Sequence, residues 1–224
     1  MKARGLGFSE MNASIIANMY SVRRNSKSII AAHVEKKLTP TLEKIWNELS
    51  FLNDHTDKGF FKLRQALDKA DTKRASYYKV VDGQKVEVGW MSQINGVIAN
   101  TPDKIRGERV DLLVYEEAGS WGGLTKAVIQ GEALVNILGD RFGYKIIGGT
   151  GGDRGPELEG LRKIYYDPKK YSVLPFRHNH TEGHSVVLTG YFLPAYSLVL
   201  KPGFMDSRGW CDPEKCKAHH EIER

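Results

Sequence analysis

The sequence predicts an α/β fold with a largely parallel central sheet flanked by helices. Three observations carry this. Short apolar runs, Ser28–Ala32, Val110–Tyr115 and Tyr144–Ile147, have the length and composition of buried strands. Longer segments with apolar residues at helical spacing lie between them. Strand and helix therefore alternate along the chain, which is the pattern of parallel sheets covered by crossover helices.

The elements follow in order. A turn, Gly5-Leu6-Gly7, leads into a helix over Asn12–Tyr20, with Ile15, Ile16 and Met19 as its apolar stripe. After the strand Ser28–Ala32, a helix is expected to start with Thr39 as N-cap and Pro40 in the first helical position. Its stripe is Leu42, Ile45, Trp46 and Leu49. The stretch Asn53–Ala75 is polar and basic, with an amphipathic segment over Phe60–Leu67. Tyr77–Val81 and Lys85–Met91 flank Asp82-Gly83, a strong hairpin signal. The strand Val110–Tyr115, a helix over Leu124–Leu138 and the strand Tyr144–Ile147 come next, and that strand breaks into Gly148-Gly149-Thr150-Gly151-Gly152. A helix over Pro156–Tyr165 and strands over Ser172–Leu174 and Ser185–Phe192 complete the set. There is no internal repeat, and the segment after Pro202 is polar.

The chain has 224 residues, of which 41% are hydrophobic and 27% charged, enough for one large domain with its own core. Its net charge of +6 is compatible with a nucleic-acid or polyanionic partner. Two cysteines, Cys211 and Cys216, make no disulfide framework, so a reducing compartment is expected. No apolar run approaches the roughly 20 residues that span a membrane. The polar neighbours Asn12, Ser14 and Asn18 break up Ile15 and Ile16, so the start does not read as a signal peptide.

Three strand or loop ends carry chemistry. The opening stretch Lys2-Ala3-Arg4-Gly5-Leu6-Gly7-Phe8-Ser9 has the layout of a phosphate-binding loop entering a helix, but Phe8 stands where GxxxxGK[ST] has lysine. The chemistry needs inward backbone N–H groups, a hydroxyl for Mg²⁺ and a nearby cation. Gly5 and Gly7 let the backbone approach, Ser9 supplies the hydroxyl, and Lys2 or Arg4 supplies the cation from the other side of the loop. The second end is Glu116-Glu117, directly after the apolar run 110–115. In open α/β sheets ligands bind at the carboxyl ends of strands. A carboxylate there holds Mg²⁺ and a second one polarises a water, giving Glu116 the metal role and Glu117 the base role. Alternatively the strand simply ends at a polar surface. The third end is Gly148–Asp153, where a polar residue senses a γ-phosphate or the loop is merely a loop.

The order KARGLGFSE, SQINGVIANTPDKIRGERVDLLVYEEAGSW, KIIGGTGGD resembles the large terminase subunit of tailed double-stranded DNA phages, and YFLPAYSLVLKPGFMDSRGWCDPEK resembles the segment joining that family's ATPase and nuclease. The resemblance implies a P-loop NTPase of the ASCE type, a motor that hydrolyses ATP with Mg²⁺ and threads viral DNA into a prohead. It implies an ATPase domain over residues 1–200 and a linker over 201–224 toward an absent nuclease. It also implies that the strand preceding the family's phosphate loop is missing here. By position, residues 2–9 match the Walker A loop, Glu116 and Glu117 the Walker B pair and Thr150 the coupling motif, while Arg106 is either an arginine finger or a loop arginine pairing with Asp103 or Glu108. The implied partners are double-stranded DNA, the portal protein, the small terminase subunit and further copies in a ring, in the host cytoplasm and transiently at the portal. Two alternatives stand beside it: an inactive or split-gene fragment that only binds DNA or portal, and another ASCE ATPase such as a helicase-like protein.

Weaker candidates remain. His178, His180 and His184 around Glu182 have metal-ligand chemistry but read equally as a polar hairpin. Cys211, Cys216, His219 and His220 lack the usual zinc spacing. Arg23-Arg24, Lys36-Lys37, Lys69, Lys73 and Arg74 offer phosphate contacts or a solvated face.

Overall fold

The computed structural model describes residues 7–56, 67–105, 109–137, 140–141, 143–150, 155–177, 188–193, 203–205, 212, 214–216 and 218. The chain begins with α1 (Phe8–Val22), β1 (Lys27–Ala32) and α2 (Glu35–His55). Next come β2 (Leu67–Asp68), β3 (Thr72–Val81), β4 (Gln84–Ile98) and β5 (Leu112–Tyr115). Then follow α3 (Leu124–Val135), β6 (Asn136–Ile137), β7 (Asp140–Arg141), β8 (Tyr144–Ile147), α4 (Leu158–Tyr166), β9 (Phe176–Arg177) and β10 (Leu188–Thr189).

Six strands form the main sheet in the order β2-β3-β4-β1-β5-β8. The four strands β4, β1, β5 and β8 are parallel, whereas β3 and β2 are added antiparallel at one side. The register places Ala31 beside Tyr115, and Tyr115 beside Ile147, so the three strands end level with one another.

Alternation along these strands explains why the apolar runs are continuous. Ile29 and Ala31 of β1, with Leu113 and Tyr115 of β5, point into a core closed by α3 and α4, which also contains Trp121, Leu124, Val128, Leu161 and Ile164. Ile30 and Ala32, with Leu112 and Val114, point to the other face, where Ala13, Ile16 and Tyr20 of α1 and Leu38, Ile45 and Leu49 of α2 cover them. Both faces are dry, so every residue of β5 is buried and a polar position inside the run would be penalised.

The structure departs from the sequence expectations at several places. The second helix starts at Glu35, so Pro40 lies inside α2 and not at its first position. The opening residues Glu35, Lys36 and Lys37 are exposed, and the carbonyl that Pro40 leaves without a partner can be hydrated there. Second, β4 continues to Ile98, well past Met91. Polar Gln93 and Asn95 hide this extension, but Gln93 Nε2 donates to Asn95 Oδ1 at 2.7 Å, so the pair satisfies itself while the backbone pairs with β1. Third, residues 172–174 are not a strand. They follow a 3-10 turn over Lys169–Tyr171, and Ser172 turns left-handed with φ 51°. The helix expected over 124–138 ends at Val135, and the short β6 follows directly. The strand expected over 185–192 is described only at Leu188–Thr189.

Candidate nucleotide site

The helix α1 starts from Gly7, which adopts φ 68° and ψ 15° and caps the helix without any side-chain hydrogen bond. Left-handed backbone of this kind suits glycine. With glycine at the cap, α1 begins without a side-chain cap, and a helix start is where an anion is favoured. Glu10 in that first turn would oppose an anion, but Lys44 holds its carboxylate at 2.6 Å.

The end of β5 meets this helix start. Ser9 Oγ donates to Glu116 Oε1 in a short hydrogen bond. Asn12 Nδ2, one turn further along α1, donates to Glu116 Oε2 at 3.0 Å. The Glu116 backbone is equally fixed: its N–H donates to Ala31 O at 2.8 Å, and its carbonyl accepts from Trp121 Nε1 at 3.0 Å. Glu116 is 1% exposed. A carboxylate so buried is costly unless paired, and here both oxygens have donors. Trp121 stacks edge-on against Tyr115 at 5.6 Å, which fixes the indole that grips the Glu116 carbonyl.

Glu117 differs from its neighbour. Its backbone is left-handed, φ 47° and ψ 45°, and its carbonyl starts a 3-10 turn over Ala118–Ser120. The reversal swings its side chain toward the end of β8, where Thr150 approaches Glu117 Oε2 with its N–H at 3.5 Å and its hydroxyl at 3.4 Å. The two strand ends are tied by backbone as well, with Ala118 N donating to Gly148 O at 2.9 Å.

Ser9 with Glu116 and Thr150 with Glu117 therefore form two adjacent contacts, drawn from three separated stretches of sequence, with Gly7 at the helix entrance. Lys2, Arg4 and Gly5 lie outside the described residues, as do Arg106, residues 151–153 and the histidines at 178, 180 and 184. Among the described residues no group of three metal-ligating side chains forms a separate metal site, and no helix is long and apolar enough to cross a membrane. Four of the basic candidates are engaged within the chain: Arg23 with Asp111 at 3.0 Å, Arg24 donating to the Gly89 carbonyl at 3.3 Å, Arg74 with Glu87 at 3.1 Å, and Lys73 with Asp68. Asn12 was not foreseen. Its signal was present, since it lies three residues after Ser9 and so faces the same way on a helix.

The topology can be set beside known proteins. No model of a protein family matches the sequence, and no curated protein does. Solved structures do match. The large terminase ATPase domain of Thermus phage P74-26 superposes with a TM-score of 0.60 at 14% identity, covering 98% of this chain and 79% of that one. A single-residue mutant of that domain gives 0.62 at 16% identity, covering 88% of this chain and 74% of that one. The chain has the fold of a large terminase ATPase domain. This is a P-loop fold, with helices on both faces of a mostly parallel sheet. In the terminase ATPase fold of this chain, the residues of the two contacts sit at the carboxyl ends of β5 and β8 and at the start of α1.

Proposed function

We propose that the chain is the ATPase portion of a DNA-packaging motor of the large terminase kind, hydrolysing ATP to drive double-stranded DNA into a prohead. The observation that carries this reading is the junction of Ser9 with Glu116, with Glu117 one residue further on and turned away from it. A hydroxyl and a carboxylate, both hard oxygen donors, meet at an anion-receptive helix start, which fits a magnesium ion.

In this reading the first N–H groups of α1 bind the phosphates, and Lys2 or Arg4 adds the cation that Phe8 cannot. Ser9 and Glu116 hold Mg²⁺, which when bound neutralises charge on the phosphate oxygens. Glu117 orients the attacking water and takes up its proton. Thr150, on the loop leaving β8, touches Glu117 and so couples the state of the site to that loop. Arg106 acts as a finger toward a nucleotide bound by a neighbouring copy. Double-stranded DNA, a portal protein, a small terminase subunit and a homo-oligomeric ring are the partners this function requires.

Two measurements test it. Calorimetry should detect Mg-ATP binding that Ser9→Ala abolishes. Glu117→Gln should keep that binding and lose turnover. Turnover that survives Glu117→Gln removes Glu117 as the base. Binding without turnover in the unaltered chain would favour a module that binds without hydrolysing.

A further inference from the structure

Asn12 is wholly buried, 0% exposed, and makes one side-chain hydrogen bond, from Nδ2 to Glu116 Oε2 at 3.0 Å. Its Oδ1 is buried with no partner. A stranded acceptor in the interior costs free energy, and an apolar side chain of similar volume would fill the same space without that cost. The position therefore gains from the amide only through Glu116.

What that gain is follows from the geometry of a carboxylate. The last torsion of a glutamate is broad, so a bond to one oxygen leaves the plane free to turn. Ser9 holds Oε1 and Asn12 holds Oε2, from successive turns of the same helix. Two donors on one rigid element fix both the position and the plane of the group. Oε1 is thereby directed at the Ser9 hydroxyl, the other oxygen of the proposed cation site.

We infer that Asn12 is a positioning residue for divalent-cation binding: it holds the Glu116 carboxylate in the orientation that admits Mg²⁺ between Glu116 and Ser9. This rests on the nucleotide-site reading above. It assigns Asn12 no contact with nucleotide, and a loss of cation affinity follows from a freed carboxylate plane.

The test separates cation from nucleotide. Binding of a non-hydrolysable ATP analogue is measured with chelator present and then across a Mn²⁺ titration, with bound Mn²⁺ read by electron paramagnetic resonance. Asn12→Ala and the volume-retaining Asn12→Leu are compared with the unaltered chain. Expected is unchanged analogue affinity in chelator, with Mn²⁺ affinity reduced about tenfold or more in both variants. Equal Mn²⁺ affinity in the variants overturns the inference and leaves the nucleotide site standing. Loss of analogue binding in chelator in both variants would make Asn12 a packing residue, again overturning it. If the unaltered chain binds no analogue in any condition, the nucleotide-site reading itself fails.

Discussion

The ring of Phe8 lies against the backbone of Gly148: a Cβ placed on Gly148 would fall 1.9 Å from the Phe8 ring. The position that holds lysine in the usual phosphate loop thus carries an aromatic residue that closes over the end of β8. Phe8 is explained by packing, and glycine at 148 is explained by Phe8. Gly148→Ala should destabilise the chain by about 1–3 kcal/mol through overpacking. In a Phe8→Ala background the same change should cost much less. Urea denaturation of the four proteins in this cycle gives the coupling directly.

The left-handed backbone of Glu117 predicts a trade between stability and activity. A non-glycine residue in that conformation is strained by about 1–2 kcal/mol. Glu117→Gly relieves the strain but adds chain entropy to the unfolded state, so a net gain of up to about 1 kcal/mol is expected. ATP turnover should vanish in the same protein. Denaturation and a phosphate-release assay on one preparation show both.

Thr150→Val keeps the branched shape and removes the hydroxyl that approaches Glu117 at 3.4 Å. With one hydrogen bond worth about 1 kcal/mol, turnover should fall roughly fivefold to tenfold. Mg-ATP affinity should stay within about twofold, because Glu117 and not the phosphates loses its partner. An affinity loss larger than the rate loss would place Thr150 on the nucleotide instead.

At the opposite end of β5, buried Asp111 accepts from Lys27 N at 2.7 Å and pairs with Arg23 at 3.0 Å. Asp111→Ala should cost about 1–3 kcal/mol by freeing the start of β1 from its anchor. Arg23→Ala should cost about 1 kcal/mol or less, since the guanidinium is partly solvated. Neither should change nucleotide affinity, because the whole length of β5 separates Asp111 from Glu116.

Burial raises the Tyr165 phenol above the ordinary tyrosine range, with a small further push from Tyr166, against the lowering effect of a hydrogen bond with Thr189. The folded state therefore holds this proton more tightly than the unfolded one. Its contribution is fully present below the unfolded value of about 10 and is lost as pH rises beyond it. Thermal melting of the unaltered chain should fall more steeply above about pH 10 than that of Tyr165→Phe.

The centre of the sheet was legible because β1 and β5 are covered on both faces. Ser28–Ala32, Val110–Tyr115 and Tyr144–Ile147 have no alternation to blur them, and each became a strand of the main sheet. The end of β4 was illegible for the opposite reason. Gln93 and Asn95 answer each other across two residues, so their polarity carries no information about exposure. Pro40 favours the first helical turn but does not require it, and solvent at the helix entrance tolerates it one turn later. In the site, the acidic pair after β5 is a strand-end signal, whereas Thr150, which the structure places beside Glu117, comes only from the terminase resemblance. Asn12 carries a helical-spacing signal from Ser9, but its contact with Glu116 follows only once α1 packs onto the end of β5.

Glu116 and Glu117 are joined by a single peptide bond yet have opposite mechanical characters. The first is fastened at four points: its N–H to β1, its carbonyl to an indole, and its two carboxylate oxygens to α1. The carboxylate of the second is approached at 3.4–3.5 Å by Thr150, on the loop leaving β8, while its carbonyl accepts from Ser120. A displacement of that loop reaches Glu117 first and meets in Glu116 a point that does not yield. A shift of Thr150 would thus alter the reach of one carboxylate while its neighbour stays anchored to β1 and α1.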